Sequence, residues 1–304
     1  MKIFFILPVY NDQFSLSKLI ENITKIFDLN KDSLEFIVVD DASSEIISLK
    51  ELSTISNCHI IRLKSNQGNQ KSIFVGINYL NDLQINYDYL FVMDSDGEDN
   101  PKDIPKLLEH SKKNQDNAIV FASRLKRNEG LIYKFFYFCY KMIFKLLTGK
   151  KLDFGNYSCI PQKLLKKVLN IQSLSLHYSA SILKSNLKHS PILCDKGKRY
   201  DGVTKTSLTN IILHALKSLS VYYEEILVRF LILSGVGGVL SFFGILFVFF
   251  NKFFSSFVAV GWSSNIIIGL SIVAIIFLSI FFACLLILLN KNLYSQNNSQ
   301  NMIN

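Results

Sequence analysis

The sequence predicts an α/β protein with a mainly parallel central sheet, followed by a transmembrane hairpin of two helices. Two observations support this prediction. In the first two thirds of the chain, short apolar runs alternate with segments of helical periodicity, which is the pattern of strands joined by helical crossovers. In the last third, no charged residue occurs from Phe230 to Phe250 or from Phe253 to Asn290, and each stretch is long enough for the ~20 residues of a spanning helix.

Four apolar runs are typical of buried strands, and each ends in a polar loop: residues 3–9, 34–39, 59–63 and 89–93. A helical pattern follows the first run, and a second helix is predicted from about residue 70 to residue 80. Ligands on parallel sheets bind at the carboxyl ends of the strands. The loops after these runs, with Tyr10, Asp41, Asn66 and Asp94, are therefore expected to share one cleft.

Asp94-Ser95-Asp96, directly after the fourth run, carries the most informative chemistry. Two carboxylates two residues apart, where a buried strand ends, form a site for a hard divalent cation with open positions for phosphate oxygens. This interpretation suggests chemistry on a nucleotide diphosphate. The same spacing occurs in solvated turns, so the motif by itself leaves both interpretations open.

Six motifs, in order, resemble those of family 2 glycosyltransferases with the GT-A fold, and within them the polyprenyl-phosphate glycosyltransferases of the dolichol-phosphate mannose synthase group. They are Leu7-Pro-Val-Tyr-Asn-Asp12, Val38-Val-Asp-Asp-Ala-Ser43, Ser65-Asn-Gln-Gly68, Val92-Met-Asp-Ser-Asp96 with Pro101, Ala122-Ser-Arg124 and Lys198-Arg-Tyr-Asp-Gly-Val-Thr-Lys205. The resemblance implies a GT-A catalytic domain over residues 1–205. It also implies inverting transfer of a hexose from a UDP- or GDP-sugar to undecaprenyl or dolichyl phosphate.

The resemblance further implies which residues bind the substrates. The implied set is Pro8, Tyr10, Asp12, Val39, Asp41, Asn66, Ser95, Gly202 and Thr204. The first three would line the nucleotide pocket, and Asp41 would accept a hydrogen bond from the base. A structural role in capping helices and turns is the alternative for Asp12, Asp40, Asp41 and Glu98.

The metal that the resemblance implies is Mg²⁺ or Mn²⁺, with Asp96 as a ligand and Asp94 holding the ribose and donor sugar at the same site. Glu98 stands where the family commonly has Gln, and it is the third ligand that we predict. A carboxylate is still an oxygen ligand, but its added charge could tighten metal binding or alter the metal preference.

Three cations, Arg124, Arg199 and Lys205, are predicted to complete the catalytic set with Asp94 and Asp96. A transfer from a nucleotide diphosphate to a lipid phosphate gathers several negative charges, which one metal cannot offset. Arginine suits phosphate because its planar fork binds two oxygens at once. Thr204 replaces the usual Ser and keeps the hydroxyl. Lys126 and Arg127 are either a solvated face or a means of steering the acceptor phosphate.

The membrane segments follow from hydropathy and charge. Spanning helices are predicted at 229–250 and 266–289, an amphipathic juxtamembrane helix at 206–228 and a disordered tail at 290–304. Residues 131–147 are aromatic and basic without an acidic residue, which favours a helix in the membrane interface over a buried core helix.

Lysine and arginine flank the two spans on one side, whereas the hairpin between them holds only Lys252. The positive-inside bias therefore predicts an integral protein of the bacterial inner membrane with both termini and the catalytic domain in the cytoplasm. Two small-residue spacings, Ser234-x-x-x-Gly238 and Gly237-x-x-x-Ser241, allow close helix packing within the hairpin or in a homo-oligomer.

Other classes are less consistent with the sequence. The net charge of +9 suits anionic substrates at an anionic membrane surface, and no compact basic stripe or motif indicates nucleic-acid binding. The five cysteines are scattered, so neither a zinc site nor a disulfide framework is predicted. Two alternatives stay open: a glycosyltransferase whose acceptor is a sugar on a lipid-linked or growing polysaccharide, and a membrane-anchored scaffold without activity.

Overall fold

The computed structural model describes residues 1–47, 57–124, 131–201, 208–254 and 261–300. The chain divides into two compact units. The first consists of Met1–Lys145 with Gly149–Val221, and we call it the α/β unit. The second consists of Leu146–Thr148 with Tyr222–Asn304, and we call it the helical unit.

The α/β unit is built on a seven-stranded sheet with the order β3-β2-β1-β4-β6-β5-β7. Its strands are β1 (Lys2–Val9), β2 (Ser33–Asp40), β3 (Cys58–Arg62), β4 (Tyr89–Val92), β5 (Ile119–Arg124), β6 (Ser158–Pro161) and β7 (His189–Cys194). All described pairs are parallel except those of β6, which runs antiparallel to β4 and β5. The predicted α/β class with a mainly parallel sheet is confirmed.

The helices of the described chain alternate with these strands and then follow them. They are α1 (Gln13–Thr24), α2 (Asn69–Asp82), α3 (Ile104–Lys113), α4 (Leu131–Thr148), α5 (Gln162–Leu169), α6 (Tyr178–Lys184), α7 (Leu208–Ser220), α8 (Tyr223–Phe254) and α9 (Trp262–Gln300). A 3₁₀ turn, Pro101–Asp103, precedes α3.

The core lies on the central strands, whose side chains are buried on both faces of the sheet. Phe5 of β1 stacks between Phe36 of β2 and Phe91 of β4, with ring centroids 5.3 Å apart in each pair. Continuous apolar runs are what a sheet covered on both faces requires. The parallel register of β1, β2 and β4 brings their carboxyl ends to one edge, where the polar loops emerge.

The helical unit contains two helices that are long and apolar enough to cross a membrane, Tyr223–Lys252 and Ser263–Ile287. Only 17% and 6% of the most apolar 18-residue segments of these two helices are buried inside the protein. Most of their apolar side chains are therefore exposed, as in helices that lipid surrounds. The predicted spans at 229–250 and 266–289 lie within α8 and α9.

Where the sequence predicted one juxtamembrane helix over 206–228, the described residues form parts of two helices. The structure ends α7 at Ser220 and begins α8 at Tyr223. Val221, between them, is buried, and its carbonyl accepts a hydrogen bond from Lys184 Nζ at 2.8 Å. Helix α7 belongs to the α/β unit, which extends to Val221.

Residues 290–300 continue α9 in the structure, whereas the sequence predicted a disordered tail at 290–304. No proline or glycine occurs between residues 290 and 300, so each further residue can add a backbone hydrogen bond to the existing helix. Residues 301–304 lie outside the described chain.

Candidate active site

Hydrogen bonds from backbone N–H groups to carboxylates of the same loop stabilise the loop after β4. The Asp94 N–H donates to Asp99 Oδ2 at 2.9 Å, and the Glu98 N–H donates to Asp96 Oδ1 at 2.9 Å. Ser95 is buried between the two carboxylates, while Asp94 and Asp96 are partly exposed. The two carboxylates are close enough for the charge of Asp94 to act on Asp96.

The loop before α2 contacts both Asp41, which follows β2, and the loop after β4. Asp41 Oδ1 accepts from the Gln67 N–H at 2.7 Å, and Oδ2 accepts from the Gly68 N–H at 2.8 Å. Asn69 then begins α2, and its side-chain amide donates to Asp94 Oδ1 at 2.8 Å. These three bonds fix the position of Asp94 relative to the carboxyl edge of the sheet.

A third segment, residues 195–200 after β7, lies directly against the Asp94 loop. The Gly197 N–H donates to the Glu98 carbonyl at 2.8 Å, and the Tyr200 N–H donates to the Asp96 carbonyl at 3.1 Å. A Cβ on Gly197 would lie 2.2 Å from the Gly97 carbonyl oxygen. Only glycine allows this approach, because a methyl group would overlap backbone that cannot move aside.

The close approach of residues 195–200 brings two cationic side chains next to carboxylates of the Asp94 loop. Arg199 Nη1 lies 3.0 Å from Asp96 Oδ2 and 3.7 Å from Glu98 Oε1, and Lys196 Nζ lies 3.0 Å from Glu98 Oε2. Burial and the neighbouring charge of Asp94 nevertheless raise the pKa of Asp96 to about 6, against the opposite effects of the Glu98 N–H and Arg199. Burial is the largest of these effects, so the ionised form of Asp96 is disfavoured although Arg199 lies beside it.

The carboxylates of Asp94 and Asp96 fit a divalent cation. Both are partly exposed at one loop, and a cation beside them would stabilise the ionised form of Asp96. Mg²⁺ typically binds one or two carboxylates and completes its shell with waters and substrate phosphates. Among the described residues, no three His, Cys, Asp or Glu side chains come together as metal ligands. Glu98 pairs here with Lys196 and Arg199, and its role as a third ligand stays a prediction.

Solved structures with a similar fold include glucosyl-3-phosphoglycerate synthase from Mycobacterium tuberculosis. Its complex with Mn²⁺, UDP-glucose and phosphoglyceric acid superposes with a TM-score of 0.52 at 11% identity, covering 74% of this chain and 79% of that chain. Its complex with Mg²⁺ and UDP gives 0.50 at 12% identity, with the same coverage. At this identity the likeness concerns the fold alone, which is the GT-A fold.

Sequence comparison decides the family. The model of glycosyl transferase family 2 matches residues 4–169. The chain belongs to glycosyl transferase family 2. Undecaprenyl-phosphate 4-deoxy-4-formamido-L-arabinose transferases from Yersinia pestis (strain Pestoides F) and Yersinia pseudotuberculosis (strain YPIII) are 30% identical over 163 residues, or 52% of this chain. The chain spans 47% of the length of these relatives.

Several residues that the sequence assigned to the donor site of this family 2 protein lie at the expected edge. Tyr10, after β1, is 51% exposed, and Asn66 is exposed in the loop before α2. Pro8 and Val39 are buried in β1 and β2, and the Pro8 carbonyl accepts from the Ser95 hydroxyl at 2.8 Å. The contacts of all these residues with a nucleotide stay predictions.

Capping of helices and turns, the alternative role for the aspartates, is observed in part. Asp12 caps α1 by accepting from the Ser15 N–H at 3.3 Å, and Asp40 accepts from the Ser43 N–H at 2.9 Å. Asp41 uses both carboxylate oxygens to hold the loop before α2. A hydrogen bond from Asp41 to a nucleotide base stays a prediction.

Part of the predicted cationic set of this family 2 protein falls outside the described residues. Gly202, Thr204 and Lys205 lie there, as do Lys126 and Arg127 and the side chain of Arg124, the last residue of β5. Of the predicted cations, Arg199 is thus the one whose side chain the structure places at Asp96.

Sequence reasoning missed three residues that shape the site. Asn69 holds the side chain of Asp94 and Asp99 holds its backbone, while Asn22 of α1 donates to the Tyr200 hydroxyl at 3.0 Å. Asn22 and Asn69 act on partners in other loops, whereas Asp99 acts within its own loop. The adjacency of Asp99 to Asp94-Ser95-Asp96 was the one available signal.

We expect Gly197→Ala to destabilise the α/β unit by about 1–3 kcal/mol and to lower activity, because the added methyl group must push residues 195–200 away from the Asp94 loop. Thermal unfolding and nucleotide-sugar turnover measure the two effects. Gly155→Ala is the matched control, since a Cβ there meets no atom within 4 Å. Equal unfolding temperatures for the two variants would contradict the close approach.

Proposed function

We propose that this protein is an inverting glycosyltransferase that moves a sugar from a nucleotide-diphosphate sugar to a polyprenyl phosphate. The observation that carries the proposal is the meeting of Asp94, Asp96 and Arg199 at the carboxyl edge of a GT-A sheet. Support for the acceptor comes from relatives named as undecaprenyl-phosphate transferases and from the two apolar helices.

The residues of the site act by binding and by charge stabilisation. Asp96 and Asp94 would hold Mg²⁺ or Mn²⁺, which supplies positive charge to the diphosphate oxygens when bound. Arg199 is placed to bind the same oxygens with its planar fork, once they compete with Asp96 for its guanidinium. The cationic surroundings stabilise the negative charge that develops on the departing nucleotide diphosphate.

The acceptor needs no dedicated general base. A phosphate oxygen of the lipid attacks the anomeric carbon and forms a new carbon–oxygen bond, while the bond to the donor diphosphate breaks and its electron pair leaves with the nucleotide. An ionised phosphate is already a nucleophile. Catalysis therefore consists mainly of positioning and electrostatic stabilisation.

Helix α4 would hold the site against the bilayer. Phe138 and Met142 are 65% and 56% exposed, whereas Phe144, on the other side of the helix, is 1% exposed. Lys141 and Lys145 lie on the same helix. An exposed apolar face with neighbouring lysines is typical of a helix in the interface of an anionic membrane. The excess of Lys and Arg outside the hairpin supports an orientation in a bacterial inner membrane with both termini and the catalytic domain on the cytoplasmic side.

We expect the double variant Phe138→Ser, Met142→Ser to raise the KM for undecaprenyl phosphate in liposomes by about 10²-fold or more, since the two exposed side chains together gain on the order of 3–6 kcal/mol when buried in lipid. The KM for the nucleotide sugar and transfer to a short, water-soluble isoprenyl phosphate should not change. Leu29→Ser, at a loop residue that is 60% exposed, is the control. Equal effects on both acceptors would show that α4 has no membrane role.

The proposed activity is tested with the full chain in liposomes. UDP- and GDP-sugars are offered with undecaprenyl phosphate, with and without Mn²⁺ or Mg²⁺, and the lipid product is measured. We expect metal-dependent formation of a lipid-linked sugar. Transfer to a lipid-linked saccharide and not to undecaprenyl phosphate would favour a sugar acceptor, and the absence of both transfer and donor hydrolysis would favour the scaffold.

A further inference from the structure

A group of basic side chains outside the Asp94 loop has no role in the mechanism above. His177, at the start of α6, lies beside His214 of α7, with ring centroids 4.6 Å apart. Lys217, one turn further along α7, places its Nζ 3.7 Å from where a Cβ on Gly68 would be. His214 and Lys217 are three residues apart and therefore share one face of the helix. We call these three residues the His177 cluster.

His177 carries a buried hydrogen-bond donor. The side chain is 3% exposed, and its Nδ1 accepts from the Ala180 N–H at 3.3 Å, so the neutral ring carries its proton on Nε2. Within the described chain, Nε2 has no hydrogen-bond partner. Burial, followed by His214 and Lys217, lowers the pKa of His177 to about 3, and no carboxylate of the described residues opposes this effect. A buried donor in such surroundings is suited to an acceptor that carries negative charge.

The cluster lies at the amino terminus of α2. The Tyr178 N–H donates to Gln70 Oε1 at 2.6 Å, which holds His177 beside the first turn of this helix. Within the described residues, no side chain caps that turn. The free N–H groups of a helix amino terminus, with its positive dipole end, attract anions. Asn69, in the same turn, contacts Asp94, so an anion here would be next to the donor site.

We propose that His177, His214 and Lys217 bind the phosphate of the acceptor, a phosphate monoester, beside the donor site. The proposal rests on the proposed function and deepens it. The His177 Nε2–H and the Lys217 ammonium group donate to phosphate oxygens, and one remaining oxygen attacks the anomeric carbon. The new bond joins this oxygen to the sugar, and the electron pair of the broken bond leaves with the nucleotide diphosphate.

The helix that carries the cluster favours a lipid as the source of this phosphate. Ile212 and Leu216, on α7 with His214 and Lys217, are 57% and 56% exposed. A water-soluble phosphate monoester would gain nothing from these side chains, whereas a prenyl chain can pack against them. The Tyr140 hydroxyl lies 2.7 Å from the Ser218 hydroxyl, which connects α7 to α4.

The test uses two variants of the full chain in detergent micelles. His177→Asn keeps an acceptor at the Nδ1 position for the Ala180 N–H and removes the Nε2 donor, and Lys217→Gln changes an exposed residue that packing does not require. Loss of one bond to a charged group should raise the KM for undecaprenyl phosphate by about tenfold or more. The KM for the nucleotide sugar and the unfolding temperature should not change.

Lys167→Gln, at an exposed lysine of α5, controls for the loss of one positive charge. Competition by farnesyl phosphate, by farnesol and by glycerol 3-phosphate distinguishes the sources of the phosphate. We expect only farnesyl phosphate to compete strongly, and to compete less in both variants. Equal competition by glycerol 3-phosphate would overturn the lipid source.

A KM for undecaprenyl phosphate within twofold of the unsubstituted protein, in both variants, would overturn the binding role of the cluster. If the unsubstituted protein itself transfers no sugar to undecaprenyl phosphate, the proposed function fails. In that case farnesyl phosphate binding, measured directly by calorimetry in the same variants, still tests the cluster.

Discussion

Asp96→Asn is expected to lower the rate of glycosyl transfer by about 10²-fold or more. The amide keeps the size of the side chain and can still accept from the Glu98 N–H, so the loop should keep its shape. It removes the negative charge that Arg199 contacts at 3.0 Å and that a divalent cation would need. Initial rates at saturating donor, measured over a range of Mn²⁺ concentrations, give the effect.

Asp82→Asn is the control for this prediction, because it removes an exposed carboxylate at the last residue of α2. We expect normal kinetics for the control and an unchanged unfolding temperature for both variants. A rate for Asp96→Asn within about threefold of normal, at limiting Mn²⁺, would remove Asp96 from the site.

Arg199→Gln is expected to reduce turnover by about 10- to 10²-fold, and Arg199→Lys should recover only part of the loss. Arginine presents a planar fork that can bind two phosphate oxygens together, whereas lysine offers a point charge. Arg199 Nε is buried without a hydrogen-bond partner in the described chain, so the guanidinium has donor capacity beyond its contacts with Asp96 and Glu98. Steady-state kinetics and the inhibition constant of the nucleotide diphosphate measure its contribution.

Lys113→Gln is the control for charge, since Lys113 is 70% exposed and pairs with Glu109 far from the site in sequence. Full activity of Arg199→Lys would indicate that only the positive charge matters. Normal turnover and product inhibition in Arg199→Gln would exclude Arg199 from diphosphate binding.

The local patterns of the sequence predicted the elements that form the carboxyl edge of the sheet. The runs that became β1, β2, β3 and β4 are apolar and short, and the helix α2 was placed to within two residues of its observed ends. Asp94 and Asp96 were identified because their spacing at the end of a buried strand already implies shared chemistry. The two long apolar helices followed from hydropathy alone.

The helix boundaries around residue 221 could not be predicted in the same way. The residues near Val221 continue an apolar and helical pattern, so the sequence contains no local signal for the end of α7. In the structure, Lys184 of a separate helix donates to the Val221 carbonyl at this break. The chain up to Val221, with His214 and Lys217, belongs to the α/β unit.

By itself, the sequence determined the fold class, the family motifs and the identity of the charged residues, because these depend on periodicity and on neighbours along the chain. The tertiary structure decided which charges meet. Glu98 pairs with Lys196, Gly197 lets residues 195–200 reach the Asp94 loop, and His177 faces α7. Each of these contacts joins residues far apart in sequence, and only the packing of strands and loops fixes their distance.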